Sequence, residues 1–174
     1  MMEPDPTPPR ETAEDPAMPS PPDTRIQELH LTLPPAPKPV AKYRTAVRQG
    51  DLLYVSGHGP LHPDGTLARG RVGADLSPEQ GYQAARQTGL AILATVKATL
   101  GSLNKVKRLI KTLGMVNSTA DYKEHPQVIN GFSELMAEVF GEGAGVGARS
   151  AVGMGSLPGN IAVEVECEFE ISDK

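Results

Sequence analysis

The sequence predicts an α+β fold, a mixed β-sheet with two helices packed on one face. Three observations carry that prediction. Residues 161–171 alternate, with Ile161, Val163, Val165, Cys167, Phe169 and Ile171 on one side and Glu164, Glu166, Glu168 and Glu170 on the other. Period two with one apolar side is the pattern of a half-buried strand. Two segments, 78–100 and 126–140, instead space their apolar residues at helical intervals. Finally, the elements read in the order ββ-α-β-α-ββ, which suits helices layered on one side of a sheet.

The chain has 174 residues, enough for one domain whose core needs neither disulfides nor metal. A formal net charge of −4 gives no global attraction to nucleic acid or anionic membrane. Cys167 is the single cysteine, which excludes an intrachain disulfide and a thiolate zinc cluster. No apolar run is long enough to span a bilayer. The N-terminal stretch is acidic and proline-rich, the opposite of a signal or transit peptide, so a cytoplasmic location is expected.

Twelve of the 17 prolines precede Ala41. Residues 1–22 lack periodic apolar positions and are expected to form a disordered tail, because they cannot bury enough surface to offset their ordering entropy. Residues 23–174 form the single domain. Residues 25–33 suggest a short helix with Ile26, Leu29 and Leu33 on one face. Leu33-Pro-Pro-Ala-Pro-Lys-Pro39 then forces extended backbone, and the folded core is expected to start near Val40. Residues 43–49 and 52–56 flank a Gly50-Asp51 turn and read as a hairpin. Residues 58–73 hold two prolines and a Pro-Asp-Gly and read as a loop. Ser77-Pro78-Glu79-Gln80 is a helix start with a capping box, and Gly101 is the stop. Residues 106–116 predict a strand interrupted by Lys107, Arg108 and Lys111. Residues 126–140 predict the second helix, 141–147 a connector, and 149–154 a short strand.

Arg149 is the first candidate site residue. Its planar, permanently charged fork matches a carboxylate, although an arginine that merely offsets nearby glutamates is the commoner arrangement. The glycines 153, 155 and 159 that follow allow close approach by a ligand or another chain. The glutamate row has two readings. It is a solvated face balanced by Lys107 or Lys111, or one member, Glu164 being nearest the loop, positions a water or a proton. His58, His62 and Asp64 look like a metal cluster, but Pro60 and Pro63 exclude a helix there and no further ligand motif exists. No metal is expected. Cys167 reads as an inert core residue. Walker, dinucleotide and G-x-S-x-G motifs are absent from the sequence.

Arg149, seven residues, Leu157-Pro158 and then Val163-Glu164-Val165-Glu166 together resemble the signature of the Rid family, also called YjgF/YER057c/UK114. YRTAVRQGDLLYVSG, with Tyr43 fourteen residues before Gly57, is similar to that family's opening hairpin, and Asn130 in VINGFSELM to its second-helix asparagine. The resemblance covers about residues 43–171. GHGPLHPDG and QVINGFSELMAEVFGE mark a divergent, RidA-like branch. It implies a chorismate-mutase-like fold and a homotrimer with sites in the clefts between subunits. It also implies an enamine/imine deaminase (hydrolase) activity, producing 2-keto acids and ammonia without a cofactor. Arg149 would clamp the carboxylate of the small-molecule substrate and Glu164 would handle water and protons. Tyr43, Ser56, Gly57, Asn130 and the backbone of Ala151 would line the pocket. Ala151 stands where many members carry cysteine, so thiol chemistry is lost there. The alternative is a module of the same fold that binds a carboxylate metabolite without turnover. The endoribonuclease (L-PSP-like) label attached to this family fits poorly with an acidic chain that has no basic stripe.

Overall fold

The computed structural model describes residues 20–172, so the expected tail lies outside the described residues except for Ser20 to Pro22. A five-stranded sheet of order β1-β2-β5-β3-β4 is built from β1 (Ala46–Gln49), β2 (Leu52–His58), β3 (Val106–Asn117), β4 (Ala148–Met154) and β5 (Val163–Ile171). Only β3 and β4 run parallel; the other neighbours are antiparallel. Two helices, α2 (Pro78–Leu100) and α3 (His125–Phe140), cover one face. The predicted α+β architecture is the observed one.

The local signals explain the boundaries. Ser77 accepts from the Gln80 amide and Gln80 answers to the Ser77 amide, so both halves of the capping box start α2. The helix ends at Gly101, which is left-handed with φ 82°. Along β5 the buried positions are Val163, Val165, Cys167, Phe169 and Ile171, as the alternation requires. Consecutive basic residues fit into β3 because two register shifts, between Val106 and Arg108 and between Leu109 and Lys111, stretch the spacing of its buried positions. Val106, Leu109 and Thr112 thus point inward at intervals of three.

Several boundaries differ from the sequence reading. Tyr43 lies outside β1, which begins at Ala46. The last strand starts at Val163 because Ile161 and Ala162 pair with the long loop, at Arg69 and Ala68, before the chain reaches β3. The first helix is earlier than expected, α1 at Pro22–Glu28. It also corrects the expected start of the folded core near Val40. Ile26 is buried, Arg25 Nε donates to the Glu138 carbonyl at 3.1 Å, and Asp23 pairs with Lys97 at 2.9 Å. These contacts tie residues 22–28 onto α2 and α3. The connector 141–147 holds a short turn of helix, α4 (Glu142–Gly145).

α2 and α3 cross where Gly131 meets the backbone of Tyr82 and Arg86; a β-carbon on Gly131 would collide with the Tyr82 carbonyl. Backbone cannot yield as a side-chain tip can, so Gly131→Ala must separate the helices above a core that includes Phe132 and Leu135. It is expected to destabilise the protein by about 1–3 kcal/mol, measured as a lowered urea midpoint with an unchanged slope. An unchanged midpoint would mean that this crossing is loose.

Candidate functional site

Arg149 lies on β4, at the sheet edge, level with Thr112 of β3. Its side chain turns to the helix-covered face. There Nη1 donates to Asn130 Oδ1 at 2.9 Å and to Ser133 Oγ at 3.0 Å, both on α3. Asn130 and Ser133 are three residues apart and share one helix face. A cavity of about 240 Å³ is lined by these three residues with Leu109, Thr112, Gly145, Val146 and Gly147. The guanidinium is half-buried, and burial pulls its pKa down from the usual arginine value without threatening its charge. No carboxylate pairs with it among the described residues. The Thr112 hydroxyl beneath it is buried without a partner. A desolvated cation held only by neutral oxygens, beside an unused hydroxyl, is suited to receive an anion.

Glu164 lies elsewhere. It is level with Met115 of β3 and points to the open face of the sheet, away from the helices. Its carboxyl group folds over the α-carbon of Gly57, where a β-carbon would overlap it. This close approach explains the glycine at position 57. Burial first, and the neighbouring Glu166 second, raise the pKa of Glu164 above the ordinary value. Of the other row members, Glu170 pairs with Lys107 at 3.2 Å. Lys111, the second expected counter-ion, instead donates to Ser150 Oγ at 3.1 Å.

Within one chain the structure therefore brings Asn130 to Arg149 and Gly57 to Glu164, but it sets the two pairs on opposite faces of the sheet. Ser56 lines a broad depression of about 510 Å³ on the open face with Tyr54, Lys111, Glu166 and Glu168. Its hydroxyl donates to the Arg44 carbonyl at 2.7 Å. Tyr43 is largely exposed and lines neither cavity. Ala151 pairs with Gly114, partly buried against the core. Ser133 and Thr112 were not picked out by the sequence reading. The i, i+3 relation to Asn130 could have found Ser133, whereas Thr112 enters only through strand pairing.

His58 is a core residue. Its Nδ1 is 2.6 Å from the Ser56 carbonyl and its Nε2 2.8 Å from Thr95 Oγ1, and burial lowers its pKa. Both ring nitrogens are thereby engaged. Among the described residues no three His, Cys, Asp or Glu side chains converge as metal ligands. Cys167 is buried, and its thiol is pushed well above the normal range by that burial. No helix among the described residues is long and apolar enough to cross a membrane.

Comparisons with known proteins agree with this architecture. Residues 23–165 match the profile of a family described as "YjgF/chorismate_mutase-like, putative endoribonuclease". Protein TCP17 of Trypanosoma cruzi is 39% identical over 148 residues, covering 85% of this chain and 92% of that protein. A RutC family protein of Pyrococcus horikoshii is 30% identical over 132 residues, covering 75% and 88%. Among solved structures, a protein of unknown function from Agrobacterium tumefaciens superposes with a TM-score of 0.79 at 43% identity, covering 87% of this chain and 94% of that one. The chain belongs to the YjgF/chorismate-mutase-like family, the Rid family that its Arg149 and Glu164 motifs resemble.

Proposed function

We propose that the protein hydrolyses small 2-imino acids to 2-keto acids and ammonia, at sites completed between copies of the chain. The observation that carries this reading is the Arg149 cluster, a half-buried guanidinium held by Asn130 and Ser133 with no carboxylate partner among the described residues. Its unused donors fit the carboxylate of an imino acid and fix the imine carbon beside them. The chemistry is modest. A protonated imine is electrophilic, water adds to its carbon, and the carbinolamine collapses to ketone and ammonia. One carboxylate suffices to take the proton from water and return it to the departing nitrogen. Glu164 is our candidate, since its raised pKa brings it nearer the working pH.

Arg149 and Glu164 lie on opposite faces of one sheet, so this reading requires Glu164 from a neighbouring subunit. Two features support association. β4 is an edge strand, and the open face displays Val47, Tyr54 and Val152, all more than a third exposed. Exposed apolar residues grouped on one face and an unpaired strand edge favour a covering partner. A closed ring of three copies buries such a face on every subunit. The carboxylate row on the same face opposes a phosphodiester backbone, which disfavours RNA cleavage here.

The test follows imine loss with purified protein while an amino-acid oxidase generates the imine. Light scattering on the same sample should give three times the 18.4 kDa chain mass. Accelerated imine loss by a trimer supports the reading. A monomer that still accelerates would rule out the shared site. A trimer inert towards several imino acids would leave a binding module for carboxylate metabolites.

A further inference from the structure

A separate cavity, of about 330 Å³, opens where the parallel strands β3 and β4 end. Arg71, Ser118, Tyr122, His125 and Gly153 line it, and it shares no lining residue with the Arg149 cavity. At the usual rise of a strand, Gly153 lies roughly 13 Å from Arg149 along β4.

The walls of this cavity carry several side-chain donors and no carboxylate. Arg71 is anchored through Nη2, which donates to the Ser118 carbonyl at 2.8 Å, and its Nε is buried without a partner. No carboxylate forms an ion pair with it among the described residues. The Tyr122 hydroxyl is also buried and unpartnered. Burial, and secondarily the exposed Glu124 carboxylate, raise its pKa, so the hydroxyl keeps its proton. His125, the first residue of α3, sits edge-on to the Tyr122 ring with centroids 5.3 Å apart, and its Nε2 is 3.1 Å from Ser118 Oγ. Gly153 completes the wall. A side chain there would overlap the His125 ring and crowd Ser118 Oγ, so β4 can close over the pair only with glycine.

Buried donors without acceptors are rare in folded proteins, because each forfeits its hydrogen bonds to water. Arg71 and Tyr122 each carry one and line the same cavity, and Arg71 has no ion-pair partner among the described residues; together they indicate a missing acceptor that carries negative charge. We propose that this cavity is a second ligand site, taking a small oxyanion, a carboxylate or a phosphoryl group, between the Arg71 guanidinium and the Tyr122 hydroxyl with His125 and Ser118 beside it. The planar fork of arginine suits both groups. The inference does not depend on imine hydrolysis, and no residue of this cavity belongs to the Arg149 or Glu164 clusters.

Amide NMR on the isotopically labelled full chain tests it, with inorganic phosphate and acetate titrated separately against chloride at matched ionic strength. Saturable shifts are expected at residues 118–125 and 153–155 with at least one probe, and the tighter of the two names the group. Arg71→Gln is expected to weaken binding about tenfold or more, the loss of a charge-assisted hydrogen bond. Tyr122→Phe deletes only a hydroxyl that is unpaired without ligand, so it keeps the fold and is expected to weaken binding severalfold. This variant decides the matter if Arg71→Gln does not fold. Arg149→Ala is expected to retain the shifts. The proposal is overturned if neither probe saturates at these amides, if Tyr122→Phe binds as wild type, or if Arg149→Ala abolishes the response.

Discussion

Replacing Arg149 with alanine is expected to lower kcat/KM for 2-imino acids by about a hundredfold to ten-thousandfold, the loss of two charge-assisted hydrogen bonds at roughly 1.5–3 kcal/mol each. The protein itself should stay folded, since the residue sits half-buried at the edge of the sheet and gives up only its bonds to Asn130 and Ser133. Arg149→Lys keeps the charge but loses the fork, so an intermediate rate is expected. Steady-state kinetics alongside circular dichroism check this. An alanine variant with wild-type kcat/KM would remove the clamp from the mechanism. The same variant separates the two proposed ligand sites, because it should lose imino acids while keeping an oxyanion at Arg71.

The second large effect is expected at Glu164. Glu164→Gln should reduce kcat by about a hundredfold to ten-thousandfold, the usual contribution of a positioned general acid–base group, with ligand affinity nearly unchanged. The pH profile provides an independent readout. Glu164 can accept a proton only when ionised, and its pKa is raised by burial and then by Glu166. The wild-type rate should therefore fall as pH drops through that raised value, and the limb should flatten in the glutamine variant. For stability, a folded pKa above the unfolded one means that the folded state binds the proton more tightly. The resulting stabilisation is complete below the unfolded pKa, near 4.5, and is lost as pH rises through the folded value. At neutral pH the ionised Glu164 thus brings no stabilisation of this kind, and the glutamine variant should melt no lower than wild type. A variant that melts earlier and loses activity in proportion would point to a structural role.

The elements that were legible in the sequence are those whose signal is local. The alternation in residues 161–171 could be satisfied only by a strand with one buried face, and β5 has it. The capping box at Ser77 and Gln80 and the glycine at 101 are complete within one turn of chain, so α2 could be bounded almost to the residue. The spacing from Arg149 to Glu164 likewise belonged to the motif and pointed to the family before any fold was known. The packing of α1 was hidden, because a seven-residue helix acquires stability only from the surfaces of α2 and α3. His58 read as a loop histidine for a similar reason; Thr95, which engages its ring, is 37 residues away.

The two faces of the sheet show the division most clearly. By itself the sequence determined which residue types are present, an arginine ahead of a glycine-rich loop and a carboxylate on an alternating strand. Parity along a strand is local and could be counted within β5, but it cannot be carried through the turn that separates β4 from β5. Only the tertiary structure set Arg149 against α3, on the face opposite Glu164. The pairing of β3 with β4 on one side and β5 on the other is a long-range choice, made by burial of the whole helix-covered face.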